Sequence, residues 1–178
     1  PESFDLTNIG GFDFTSDVVD QGGCGSCYIV SFTQVVESRL KTKYGEQPTR
    51  VSPQHVLSCN YMTEGCDGGW AFGAGLFAEN GHLVSEECAP YAAKTKDEPC
   101  SKFSTCPAVA QVDRSYFIGG AYGESSESKM MKDLLRNGMI NSELLVPGEF
   151  MSYSEGILSE DGMQEMHNFL QLRQDADS

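Results

Sequence analysis

The sequence contains no run of about 18 consecutive apolar residues, which leaves nothing to cross a bilayer as a helix. Basic residues are scarce: 12 Lys and Arg stand against 26 Asp and Glu, for a formal charge of -14. A chain so acidic repels phosphate backbones and anionic lipid surfaces, so neither nucleic acid nor membrane is expected as a partner. An acidic compartment would suit it, because partial protonation of carboxylates relieves self-repulsion. No N-x-Ser/Thr acceptor occurs, so N-glycosylation of this chain is not expected. The opening PESFDLTNIGG has neither the basic start nor the apolar centre of a signal peptide, and a mature chain freed of any leader or pro-segment is expected. Internal repeats and low-complexity tracts are absent as well. What remains is an ordinary globular composition, 39% hydrophobic and 10% aromatic over 178 residues, enough for one domain or two small lobes sharing an interface.

Cysteine is not lacking. There are seven, Cys24, Cys27, Cys59, Cys66, Cys88, Cys100 and Cys106, and the stretch DQGGCGSCYIVSF places the first two three apart among glycines. A zinc site would want a second close ligand pair, and none accompanies Cys24 and Cys27, so no metal is expected. A thioredoxin-type redox pair is disfavoured by the five further cysteines, which suit a disulfide-rich exported chain. Their odd number leaves at least one thiol unpaired within the chain, for an intermolecular bridge or for chemistry.

The chain reads as a helical first part and a less regular second part, divided near residue 110. Ile29, Val30, Phe32, Val35, Val36 and Leu40 recur at spacings of three and four between polar residues, which predicts a helix over 27–44 closed by Gly45. In SPQHVLSC, Ser52 as N-cap and Pro53 at the first helical position predict a short helix to about Cys59. GCDGGWAFGAGLFAENG is a glycine turn leading into an apolar helix that stops at Gly81. A further helix is expected from about Ser126 to Asn137, with Met130, Met131, Leu134 and Leu135 inward and Gly138 as its stop. VDRSYFIGGAYG reads as a strand entering a glycine turn, and the polar last eight residues are expected to fray.

If a helix begins at Cys27, its thiol sits on the first turn, where unsatisfied N–H groups and the helix dipole favour thiolate over thiol. Glycines on both sides leave room for a substrate backbone. Gln21, six residues earlier, could aim an amide donor at a developing oxyanion. A helix-start cysteine held in a structural disulfide explains the same residues, and physical chemistry alone leaves the two readings level.

Three ordered blocks, QGGCGSCY, SPQHVLSC and GCDGG, resemble the papain-type cysteine proteases. Within that family Tyr28 in place of the usual Trp, the opening PESFDLTNIGGFDFTSDVVDQGG, EECAPY and YFIGGAYG are similar to the heavy chain of the cathepsin C (dipeptidyl peptidase I) branch, over about residues 1–158. The resemblance implies an α+β, two-lobe papain-like fold. Residues of about 19–110 would form the helical lobe, 1–18 and about 111–178 would contribute to the β-rich lobe with Leu144 to Ile157 as part of it, and 160–178 would be a remnant of a processing loop. It implies Cys27 as nucleophile, and Gln21 with the Cys27 N–H as oxyanion hole. Gly68 and Gly69 would run along the substrate backbone, and Trp70 and Phe72 would line the second-residue pocket. It also implies the pairs Cys24–Cys66, Cys59–Cys100 and Cys88–Cys106, with Cys27 left free.

Two departures accompany the resemblance. The branch holds a chloride ion with help from a tyrosine hydroxyl, and the matching Phe72 has none, so the expected cofactor list is empty, with chloride resting on the resemblance alone. The family's settings for its catalytic His and Asn are missing. Of the three histidines, His55 and His82 read as surface residues, while His167 lies about 140 residues after Cys27 but in a foreign context. The resemblance resolves this with a separate light chain that brings His and Asn. It further implies an exclusion domain that confines cleavage to dipeptides, an oligomer of heterotrimeric units, peptide and protein substrates, and a lysosomal, vacuole-like or secreted location. An endopeptidase of the same fold, or an inactive papain-fold scaffold, are the other readings.

Overall fold

The computed structural model describes residues 3–45, 49–95 and 98–143, together with Val146, Phe150, Tyr153 and Ser154. Several helix ends among them fall where the local sequence supplies a reason. Helix α1 (Cys27–Tyr44) ends at Gly45, whose φ of 79° is the left-handed conformation that a side chain would oppose and whose N–H returns to the Lys41 carbonyl. Helix α2 (Pro53–Cys59) opens with Ser52 accepting a hydrogen bond from the His55 N–H and with proline at the first position, whose missing N–H costs nothing there. Helix α3 (Ala71–Asn80) and helix α4 (Glu127–Asn137) follow, the latter stopped at Gly138 with its N–H on the Leu134 carbonyl.

The core forms where α1 crosses α2 and α3. Ile29 and Phe32 of α1, Val56 and Leu57 of α2, and Ala74 and Ala78 of α3 meet Val51 and Leu83 there. The small Ala74 and Ala78 lie in this core, and Gly75 leaves room for Ser115, whose side chain a Cβ there would strike. A second cluster gathers Val84, Ala89, Phe103 and Cys106 beside Cys59. Strand β1 (Leu83–Val84) pairs antiparallel with β2 (Ala108–Ala110), Leu83 opposite Ala110 and Val84 opposite Ala108. The Ser52 N–H donates to the Val84 carbonyl and the Glu86 N–H to the Arg50 carbonyl, so the start of α2 is sewn to the same edge. Three disulfides cross-link this body: Cys24–Cys66, Cys59–Cys100 and Cys88–Cys106.

Several expectations are corrected. Residues 111–123 form no strand; the backbone runs irregularly into a turn at Gly119 and Gly120, both with φ near +109° and +108°. The segment's apolar side chains pack individually instead of joining a ladder, Phe117 stacking on Phe72. Residues 3–18 make turns and one isolated bridge, Ile9 with Phe12. In α4, Met130 and Leu134 are half-buried, but Met131 and Leu135 are exposed. The helix is rotated by polar contacts: Asp133 takes the Tyr116 hydroxyl and the Arg39 guanidinium, and Asn137 donates to Tyr116. His55, expected at the surface, is buried among Phe77, Phe103 and His82.

The chain divides into two compact units, Pro1–Asn141 and Ser142–Ser178. In the second, the Phe150 and Tyr153 rings lie nearly parallel with centroids 6.3 Å apart. His167, most of the segment Leu144 to Ile157 and the proposed processing remnant lie outside the described residues. No helix among the described residues is long and apolar enough to cross a membrane.

Candidate active site

Cys27 is the free cysteine of the described chain, and its side chain is exposed at the first residue of α1. The six other cysteines are paired, so the odd thiol is the one at the helix start. Ser26 occupies the N-cap position but makes no capping bond, its φ and ψ of -102° and 16° lying outside the extended region that caps use. Its hydroxyl instead meets Tyr91 Oη. Among the described residues no acceptor takes the N–H groups of Cys27 and Tyr28, while Ile29 and Val30 both donate to the Ser26 carbonyl. The open first turn, with no acidic residue in it, is an electropositive end facing the thiol.

Gln21 is set beside this turn by a second device. Asp20 Oδ1 accepts the Gly22 N–H at 2.8 Å, closing a tight turn in which Gly22 has φ of +62°. The Tyr91 hydroxyl donates to the Gln21 carbonyl at 2.9 Å. The Gln21 side-chain amide is given no partner among the described residues, which leaves it to donate outward.

The glycine loop is held against the segment that carries Cys27 by three ties. Besides the Cys24–Cys66 bridge, the Gly25 N–H donates to the Cys66 carbonyl at 2.9 Å, and Tyr28 Oη donates to the Gly65 carbonyl and meets Thr63 Oγ1, each at 3.0 Å. The approach is so close that a Cβ on Gly25 would stand 2.6 Å from the Cys66 oxygen, and one on Gly69 would stand 2.7 Å from the Tyr28 ring. Tyr28 has its ionisation pushed up, chiefly by burial, and so remains a neutral hydrogen-bond donor. Gly68 spends its backbone inside the loop, its carbonyl accepting from Glu64 and its N–H reaching Gly65. Gly69 has no such partner among the described residues, so its N–H and carbonyl are open to an extended peptide. Beyond the loop Trp70 is 55% exposed and forms an aromatic run with Tyr122, Phe117 and Phe72, the last pair stacked at 4.3 Å.

Cys27, Gln21, Gly68, Gly69, Trp70 and Phe72 therefore sit on one connected framework. The histidines do not join it: among the described residues neither His55 nor His82 is hydrogen-bonded to Cys27. Nor does any group of three or more His, Cys, Asp and Glu among those residues stand ready for a metal ion. Sequence reasoning missed Tyr91, Tyr122 and Phe117. EECAPY and YFIGGAYG were visible as segments, but nothing local indicates that Tyr91 reaches back 70 residues to Gln21.

The family model for papain family cysteine protease matches residues 1–172. The chain belongs to the papain family of cysteine proteases. Its papain-like fold is reflected in the bromelain protease of Ananas comosus in complex with the E64 inhibitor, with a TM-score of 0.59 and 30% identity over 68% of this chain and 53% of that one. Cathepsin C of Schistosoma mansoni is 33% identical across 94% of this chain and 37% of the relative. Cysteine proteinase B of Leishmania mexicana is 38% identical across 80% and 31%. The papain-family chain thus spans about a third of the length of these curated relatives.

Proposed function

We propose that the chain is the nucleophile-bearing part of a thiol-dependent peptidase that removes dipeptides from free amino termini. The observation that carries the peptidase reading is the exposed, unpaired Cys27 on an open helix start, in a chain whose six other cysteines are bridged. In this reading the Cys27 thiolate attacks the substrate's second carbonyl carbon. The oxyanion that forms is met by the Gln21 amide and the Cys27 N–H. The C–N bond then breaks, the amine leaves with a proton from an imidazole, and water cleaves the C–S bond of the thioester. Gly69 pairs with the substrate backbone beside Gly68, and Trp70 and Phe72 border the second-residue pocket.

A separate light chain supplies the His and Asn, and an exclusion domain blocks the cleft beyond the second residue, in an oligomer of heterotrimeric units. Similarity to cathepsin C over 94% of the chain supports this finer assignment. The chemistry needs no cofactor, and Phe72 offers a chloride ion no hydroxyl. Three disulfides and the acidic composition support a lysosomal, vacuole-like or secreted location.

Similarity to cysteine proteinase B, at 38% identity over 80% of the chain, favours a second reading, an endopeptidase of the same fold. Hydrolysis of one dipeptidyl amide with a free and an acetylated amino terminus separates the two. The dipeptidyl reading predicts cleavage of the free form alone; equal cleavage of both would establish the endopeptidase.

A further inference from the structure

Tyr91 holds together the two halves of the candidate oxyanion hole, and its own placement is unusually well fixed. Its hydroxyl carries a single hydrogen, which goes to the Gln21 carbonyl. The short contact with Ser26 Oγ must then be made by the serine's hydrogen, so one phenol oxygen ties the Gln21 turn to the residue that precedes Cys27. The base of the ring is anchored on both sides. The Tyr91 N–H donates to Glu86 Oε1 and the next N–H, that of Ala92, to Oε1 of the fully buried Gln54, each at 2.9 Å.

We propose that Tyr91 is a positioning residue for oxyanion stabilisation, acting through Gln21 and Ser26 with no contact to substrate. The inference rests on the peptidase reading above. The Gln21 amide and the Cys27 N–H come from segments with no ladder or helix in common. A donor pair is useful only if its spacing is fixed before charge develops, because preorganised dipoles need not reorient in the transition state. The strut supplies that spacing.

The test is a double-mutant cycle on natively purified protein with any chains that accompany it: Tyr91→Phe, Gln21→Ala and the two combined. Phenylalanine keeps the ring, and near-ultraviolet circular dichroism checks that its packing survives. Turnover of a peptide amide should fall about ten- to a hundredfold in kcat with KM little changed, the scale of a small misplacement of reacting groups. Alkylation of Cys27 by neutral iodoacetamide, which develops no oxyanion, should keep its rate. On the Gln21→Ala background the same Tyr91→Phe change should cost less than about threefold, because its route is already gone.

An equal loss on both backgrounds, an alkylation rate that falls with kcat, or an unchanged kcat would each overturn the positioning role while leaving the peptidase reading in place. A wild-type protein that alkylates normally but hydrolyses no peptide amide would overturn both.

Discussion

Burial of His55 ties the stability of this chain to pH. Its ring is 6% exposed, lies between Phe77 and Phe103 and stacks on His82, and its Nδ1 has no hydrogen-bond partner among the described residues. Burial first, and the neighbouring His82 second, push its ionisation down from the ordinary 6.5 to about 4. Because the charged form is disfavoured in the fold, the unfolded chain takes up its proton first as pH falls. The contribution is therefore complete above pH 6.5 and is lost progressively between 6.5 and about 4. At ~1.4 kcal/mol per pH unit, that interval corresponds to about 3 kcal/mol, a large part of a small domain's net stability.

Replacing His55 by leucine keeps the volume and removes the titration. Urea unfolding followed by far-ultraviolet circular dichroism, with disulfides intact, should show wild type losing about 3 kcal/mol more than His55→Leu between pH 7 and pH 4. Equal losses in the two proteins would refute the assignment of this pH dependence to a buried neutral imidazole.

Two further outcomes follow from the packing. Replacing Cys59 and Cys100 together by alanine opens a loop of sequence separation 41 and should cost about 2–4 kcal/mol in chemical unfolding; a loss under 1 kcal/mol would mean that the native loop is held by other contacts. Gly25→Ala sets a methyl against the Cys66 carbonyl, a backbone atom that cannot swing aside, and should destabilise the chain by about 1–3 kcal/mol while slowing turnover; a variant as stable and as active as wild type would show that the two loops can separate freely.

The helices of this fold were legible because their ends are written locally. Gly45 closes α1, Ser52 and Pro53 open α2, and Gly138 stops α4, each through a bond to a residue at most four positions away. The place of Cys27 at a helix start was legible too, since a cysteine among glycines ahead of an apolar helical run is a local pattern, and the resemblance added the disulfide pairs that leave its thiol free. What stayed hidden depends on distant residues. In α2, Gln54 and His55 are as buried as Val56 and Leu57, because Phe77, Phe103 and the Lys94 carbonyl arrive from elsewhere to cover them. The residues before Gly119 look like a strand, but an unpaired strand has no ladder to join, and the Phe117 ring stacks on Phe72 while the Tyr116 hydroxyl goes to Asp133. The outward turn of Met131 and Leu135 follows from Arg39 and Tyr116 claiming Asp133, a choice made by side chains 94 and 17 positions away.

The central claim is that Cys27 is an activated nucleophile, and labelling tests it most directly. Natively purified protein would be treated at mildly acid pH with an irreversible epoxide directed at cysteine proteases, then digested and mapped by mass spectrometry. The account predicts a single adduct, on Cys27, formed in step with the loss of peptidase activity. A demonstrably free Cys27 that takes up no epoxide would contradict it and leave an inactive papain-fold scaffold as the better description.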